Sequence, residues 1–403
     1  MKNIKPSLIA AIVVISAISC QKEAQINKLQ EAVYNTAVSS PIENQYVIRI
    51  ARNAIDVLLA GISDYNQRDL VVKDHVESML NLADLTEVEV GYVYNTAIIG
   101  FAATLSDTEK AILANLPAVI SIEQNLTVHI SDNGRTEMNK KSAQETPYGI
   151  NRVGKADGTG KRVFVIDTGV DLDHPDLNVN IDLSISYTGG GLIGELTGTG
   201  NGNDDHGHGS HVAGTIAAKD NTIGVVGVAH DAEVVAVKVL ASNGSGSMVG
   251  VIKGVDHVAF YGMPGDVANM SLSGGAFDAL DIAVIYASTK VMFALAAGNE
   301  RDDANNYSPA RANGLNIYTV SAMNSSDRWA GFSNYSNPPV DFCAPGVSVK
   351  STYKNGRYAT MSGTSMAAPH VAGILLNRGG TPLSDGTVSN DPDGTPDPIA
   401  VSY

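Results

Sequence analysis

The chain has 403 residues, 44% of them hydrophobic and only 6% aromatic, with 40 glycines, enough for a large core joined by tight turns. Acidic residues number 42 against 27 basic ones, and the formal charge of -15 argues against a nucleic-acid partner and for a soluble, exported protein. Of the two cysteines, Cys20 ends a signal-like segment and Cys343 sits in DFCAPG, where it reads as a small buried hydrophobe, so no disulfide is expected.

Residues 1–19 place Lys2 and Lys5 before an apolar run too short to span a membrane comfortably, then small residues, which is the pattern of a secretory signal peptide. Residues 20–41 are polar and read as a tether. From 42 to 130 the order of elements is β-α-β-β-α-β, and it predicts a small ferredoxin-like α+β domain. YVIRI (46–50) is its first strand, 67–84 is helical, and 88–105 holds two strands with a turn near Asn95. Ser106 with Glu109 forms a capping box ahead of a helix, and AVISIEQN (118–125) closes the sheet. The polar stretch 131–147 carries no apolar period and is expected to be an exposed linker open to cleavage.

From Tyr148 to Gly380 strands alternate with helices. Buried-strand runs occur at 161–167, 233–240, 266–272 and 291–298, with helical stretches near 208–219, 247–260 and 276–289. That alternation predicts an α/β fold with a parallel sheet and helices on both faces, and functional residues at the carboxyl ends of the strands. No further segment is apolar enough for a transmembrane helix. The Pro-, Gly- and Asp-rich stretch 381–403 reads as a solvated tail, in preference to a calcium loop using Asp391 and Asp393.

Three motifs carry the chemistry. Asp167 ends a buried strand in VFVIDTGVDLDHPDL. His206, His208 and His211 fall within DDHGHGSHVAGT. Ser365 lies in GTSMAAPHVAG, just inside a helix start, where the helix dipole favours negative charge developing nearby. A zinc reading of the three histidines competes with a nucleophile–base reading. The order Asp, His, Ser argues for the latter; an α/β-hydrolase would place serine first, within a G-x-S-x-G elbow that 363–367 lacks.

These three strings resemble the Asp, His and Ser motifs of subtilisin-like serine proteases, the subtilases, and residues 42–130 resemble their inhibitor-like I9 propeptide. The resemblance implies a subtilisin-like fold and a serine endopeptidase made as an autoprocessed proprotein. In it Ser365 is the nucleophile, His208 the base and Asp167 the orienting acid, with His211 structural and His206 facing solvent. Asn299 would donate to the oxyanion. Ser271, Leu272, Ser273 and Gly274, with Gly246, would pair with an extended substrate, and Ala296, Ala297 and Gly298 would wall the opposite side of the pocket. Ser273 stands where glycine is common and would narrow that pocket.

Residues 304–346 resemble the proteinase K branch, which implies Asp341 as a ligand to structural calcium; the chemistry itself implies no cofactor. Ala17-Ile18-Ser19-Cys20 resembles a lipobox, so Cys20 is either a lipidated membrane anchor on the precursor or part of a simple secretion signal. The implied partners are protein or peptide substrates and the chain's own propeptide. The rival from another class is a catalytically silent binding protein on the same fold.

Overall fold

The computed structural model describes residues 39–130, 137–139, 143–188 and 200–403. The signal-like segment, the tether up to 38, Cys20, and residues 131–136 and 140–142 of the linker lie outside the described residues.

The first layer is a four-stranded antiparallel sheet. Its strands are β1 (Pro41–Ile50), β2 (Val90–Asn95), β3 (Ile99–Thr104) and β4 (Val119–His129), in the order β4-β1-β3-β2. Helices α1 (Arg52–Leu59), α2 (Tyr65–Leu82) and α3 (Asp107–Ala114) complete the unit. The expected β-α-β-β-α-β order holds, with α1 as an addition that its eight residues gave too few turns to reveal. Val47, Tyr94 and Ala102 of this sheet bury against the catalytic layers, while Ile48, Val93 and Phe101, one residue out of phase, form the domain's own core with α2. Period-2 alternation thus gives the sheet two buried faces. The capping box forms as expected, with Glu109 N on Ser106 Oγ at 3.3 Å and Ser106 N on Glu109 Oε2 at 2.7 Å, a device typically worth about 1 kcal/mol.

The larger layer is built on β5 (Arg162–Asp167), α4 (His208–Ala217), β6 (Glu233–Lys238), β7 (Ser245–Ser247), α5 (Met248–Tyr261), β8 (Val267–Met270), α6 (Asp278–Ala287), β9 (Met292–Ala296), β10 (Ile317–Met323), β11 (Val340–Pro345) and α7 (Thr364–Arg378). Strands β11-β10-β9-β8-β5-β6 run parallel in that order. Val163 and Val165 pack with Val212, Ile216, Val371 and Leu375 of α4 and α7. Phe164 and Ile166 face Val251 and Val255 of α5 and Leu280 and Val284 of α6. Helices cover both faces, as the continuous apolar strands require.

Residues 381–403 correct the sequence reading. They hold β12 (Leu383–Thr387) and β13 (Pro398–Val401), and β13 joins β11 in parallel through Cys343–Ile399, so the stretch extends the sheet and is not a solvated tail. Ile399, Ala400 and Val401 are buried, and Asp397 accepts from Ser321 Oγ at 2.5 Å and from Asn337 Nδ2 at 3.1 Å. Asp391 and Asp393 accept backbone N–H groups within their own loop, from Asp397 and Thr395 respectively. Part of the expected linker is also ordered into the fold. Glu137–Asn139 pairs with Arg357–Met361, and Gln144 and Glu145 donate their N–H groups to Thr222 and Gly224 carbonyls. Cys343 is fully buried, which pushes its thiol far up and leaves it a poor nucleophile.

Candidate active site

Strand β5 ends on Asp167, and α4 begins on His208. The entry into α4 is tight: Gly207, just before His208, has φ 115°, and a Cβ there would lie 2.2 Å from the Tyr353 ring. His208 Nδ1 lies 2.8 Å from Asp167 Oδ1, with both side chains fully buried. A carboxylate only accepts, so Nδ1 carries the proton and Nε2 presents a lone pair, which is the arrangement of a base.

Two residues unassigned from the sequence hold this pair in place. Asp204 Oδ1 accepts from Thr168 Oγ1 at 2.9 Å, His206 N at 2.9 Å and Gly207 N at 2.7 Å, while Oδ2 accepts from Ser210 N at 2.9 Å and Ser210 Oγ at 2.6 Å. Five donors on one buried carboxylate fix the loop that delivers His208 to the strand end. Lys238 donates to the Thr168 carbonyl at 2.6 Å, the Leu240 carbonyl at 2.9 Å and Asp205 Oδ1 at 2.6 Å. An acid four residues ahead of a helix is outside the usual capping position, so only the acidic pair within DDHGHG hinted at it.

Among the described residues, the three histidines do not form a group of metal-ligand spacing. His211 Nε2 lies 3.1 Å from the carbonyls of both Val349 and Ala359, and burial holds its pKa down at about 3, so it is a neutral donor bridging a hairpin. His206 is half-buried, with its ring centroid 6.4 Å from that of His208, which corrects the expectation that it faces solvent. The cluster of metal-ligand spacing among the described residues is elsewhere, at Asp157, His230 and Asp231, where His230 and Asp231 pair directly at 2.8 Å.

Ser365 is the second residue of α7, 3% exposed, and its Oγ donates to the Ser271 carbonyl at 3.3 Å. The helix contains Pro369, whose missing N–H leaves the Ser365 carbonyl without its usual i+4 donor. Ser271 Oγ fills that place at 2.9 Å, itself held by Asn269 Nδ2 at 2.9 Å. A proline inside the helix thereby ties the Ser365 backbone to the end of β8.

Asn299 follows β9. Its Oδ1 accepts from Thr364 N at 2.8 Å and Thr364 Oγ1 at 3.0 Å, and this fixes which end of the amide is the donor. Ala296, Ala297 and Gly298 form the neighbouring strand end. Asn334 Nδ2 donates to the Ala297 carbonyl at 3.0 Å, and Gly298 N donates to Thr364 Oγ1 at 3.1 Å. Gly298 has φ 105°, and a Cβ there would lie 2.3 Å from Asn334, so the close approach requires glycine.

The expected substrate-pairing segments are occupied by the chain itself. Strand β4 runs beyond its predicted end, and Thr127, Val128 and His129 pair antiparallel with Ser247, Gly246 and Ser245 of β7. On the other side His129 exchanges both backbone hydrogen bonds with Ser273, at 3.0 and 3.1 Å, and Ile130 N donates to Gly244 O at 3.1 Å. Val128 is fully buried in the cluster that includes Leu272 and Met248. Among the described residues β4 does not pair with 296–298, and Gly274 pairs with Ser308.

Asp341 lies apart, on β11. It accepts from Thr319 N at 2.8 Å, and burial, only partly offset by that bond, pushes its carboxyl up to about 6.

The profile of the Subtilase family matches residues 158–377, and that of Peptidase inhibitor I9 matches 59–131. Strand β1 lies before the second match yet belongs to the same sheet. Alkaline serine exoprotease A of Vibrio alginolyticus is 39% identical over 311 residues, covering 74% of this chain and 55% of that protein. The thermostable alkaline protease of Halalkalibacterium halodurans is 39% identical over 281 residues (68% and 70%), and the cuticle-degrading protease of Metarhizium anisopliae 36% over 323 (76% and 75%). The crystal structure of a cold adapted subtilisin-like serine proteinase matches with a TM-score of 0.54 at 37% identity, over 64% of this chain and 98% of that one. With a subtilase match over more than half its length and an I9 match before it, the chain belongs to the subtilase family of serine proteases and carries an I9 propeptide domain.

Proposed function

We propose that the chain is the precursor of an endopeptidase that cuts itself once, between Ser131 and Asp132, and then hydrolyses other proteins through Ser365, His208 and Asp167. The observation that carries this reading is the register of β4 in the cleft. His129 opposes Ser273 in an antiparallel ladder, so each step forward on one strand is a step back on the other. Extended two residues beyond the described strand, that register would set position 131 against Ser271, whose carbonyl is the acceptor for Ser365 Oγ. The carbonyl carbon of residue 131 would then be the one offered to the nucleophile.

In this mechanism Ser365 Oγ attacks that carbon while His208 Nε2 takes its proton, and Asp167 stabilises the imidazolium without taking the proton itself. The tetrahedral oxyanion is met by the Asn299 amide and the Ser365 backbone N–H, at the positive end of α7. Collapse expels the amine of Asp132 with the proton from His208, and water then hydrolyses the acyl-enzyme by the same route in reverse. The segments 127–130 stay as product in the cleft, which makes 42–130 an inhibitor until it leaves. Ser131 is small, as suits a pocket that Ser273 narrows.

The assignment of 148–380 as catalytic domain needs extending to 403, because β13 completes its sheet. Export through residues 1–19, with a lipid on Cys20 holding the uncut precursor on a membrane, belongs to the same proposal. Cell fractionation with N-terminal sequencing tests it. The expected result is a soluble fragment beginning at Asp132 and a membrane-bound precursor that becomes soluble in Cys20→Ala. A fragment beginning elsewhere would overturn the register argument, and an active chain left uncut would overturn the precursor reading.

Asp341 fits a calcium ligand in one respect: it is a half-buried carboxylate with no cationic partner among the described residues, which a bound cation would relieve. Backbone carbonyls would have to supply the remaining oxygens, and the ion would act on stability alone. Calcium should raise the melting temperature of wild type and not of Asp341→Asn; an equal rise in both would remove Asp341 from the site.

A further inference from the structure

Helix α5 carries two charged side chains one turn apart, Lys253 and Asp256, and neither belongs to the cleft. Both are fully buried, and what they bond to lies in the N-terminal domain. Lys253 Nζ donates to Asp69 Oδ1 and Oδ2 at 2.8 Å each and to the Val93 carbonyl at 2.9 Å, so all three of its protons are used. The ammonium also lies 4.4 Å from the centroid of the Tyr65 ring. Asp69 is 1% exposed and accepts a further bond from Asn95 Nδ2 at 2.7 Å.

Asp256 behaves differently. It takes the backbone N–H groups of Asn95, Thr96 and Ala97 at 3.1, 2.9 and 2.7 Å, and the Tyr65 hydroxyl at 2.8 Å. Backbone donors are supplied by almost any sequence in that turn. The carboxylate facing Lys253 is supplied only by a particular residue at position 69. Of the two anchors, one reads shape and the other reads identity.

An ion pair withdrawn from water is costly to desolvate, and the mutual attraction offsets that cost only while both partners are present. Burial keeps the Asp69 carboxyl up at about 6 even beside Lys253, which shows how strongly desolvation acts here. We propose that Lys253 and Asp69 form an identity check at this interface: the catalytic domain retains an inhibitory domain that brings a carboxylate to the position of Asp69, and rejects one of the same fold with a neutral side chain there. The retained partner is its own N-terminal domain, after self-cleavage in the same molecule or from a second copy. This rests on the reading that the N-terminal domain is an inhibitor held noncovalently after cleavage.

The test is a double-mutant cycle in the full-length chain at pH 8, with Asp69→Leu, Lys253→Met and the pair together. Two quantities are read after self-cleavage: the lag before peptidase activity appears, and the amount of N-terminal fragment that co-elutes with the catalytic domain. Each single change leaves one buried charge without its partner and should weaken retention by about 10²–10³-fold, with the lag shortened accordingly. The double variant should recover most of the loss, since an apolar pair needs no compensation. Once released, all four enzymes should show equal activity per titrated active site.

The same cycle in a Ser365→Ala background reads thermal unfolding of the uncut chain, with the singles lowered and the double restored. That arm needs no proteolysis, so it stands or falls separately from the assignment of the nucleophile. Singles that retain the N-terminal domain as wild type does, or a double variant showing the sum of the two single losses, would overturn the proposal.

Discussion

Ser365→Ala should abolish both activities of this chain, leaving full-length precursor uncut and no measurable hydrolysis of unfolded protein. The expected loss is several orders of magnitude, because the hydroxyl supplies the atom that attacks the peptide carbonyl. The substitution removes one oxygen from a position 3% exposed, and the carbonyl it donates to, that of Ser271, keeps its place at the end of β8. Stability should therefore change little. A fluorophosphonate probe should label the mature wild type and not the alanine variant. Near-wild-type turnover in a preparation free of other proteases would sink the assignment and favour the silent binding protein. Asn299→Ala gives a graded companion result: a fall of about 10²–10³-fold in kcat with KM little altered, since the amide acts mainly on the transition state. A loss confined to KM would assign it to substrate binding instead.

Replacing His208 by Ala should cost as many orders of magnitude as replacing Ser365, whereas His211→Ala should act on stability. The contrast follows from their partners. His208 is anchored to a carboxylate through Nδ1, and this leaves the lone pair on Nε2. His211 spends Nε2 on two carbonyls, and burial, the main cause, holds its pKa at about 3. His257 and His370 are similarly held down by burial, at about 3 and 4.

These three buried histidines set an acid limit with a definite sign. Each takes up a proton in the unfolded chain near pH 6.5 but refuses it in the folded one. Unfolding therefore binds protons between about pH 6.5 and pH 3–4. Their contribution to stability is complete above about 6.5 and falls as pH drops through that window, against the buried carboxyls of Asp69, Asp341 and Asp397, whose raised pKa values act with the opposite sign. Chemical denaturation of Ser365→Ala at a series of pH values measures this, free of self-digestion. A His211→Ala change that leaves the pH profile of that variant unaltered, or a His211→Ala enzyme with normal stability and lost turnover, would contradict the division of roles.

The sequence by itself determined the parts that depend on neighbours along the chain. The apolar run that ends on Asp167 had to be an inner strand, the small residues from Gly363 to Gly373 had to be a close-packed helix, and Ser106 with Glu109 had to start another. The order of Asp167, His208 and Ser365 distinguished among ways of building a nucleophile–base pair because each residue sat in a long motif. Contacts across long separations were decided only by the tertiary structure. Nothing local marks Lys253 as the partner of Asp69, 184 residues away, or Asp204 as the acceptor of five donors. The stretch 381–403 looked solvated because Pro, Gly and Asp dominate it. Its last apolar residues become a strand only because the open edge of β11 offers them a partner. Strand β4 likewise ends, by composition, near Gln124 or Asn125; the cleft extends it to His129 by supplying unpaired backbone on both sides. Strand pairing is a property of two edges, and a sequence read along its length displays only one of them.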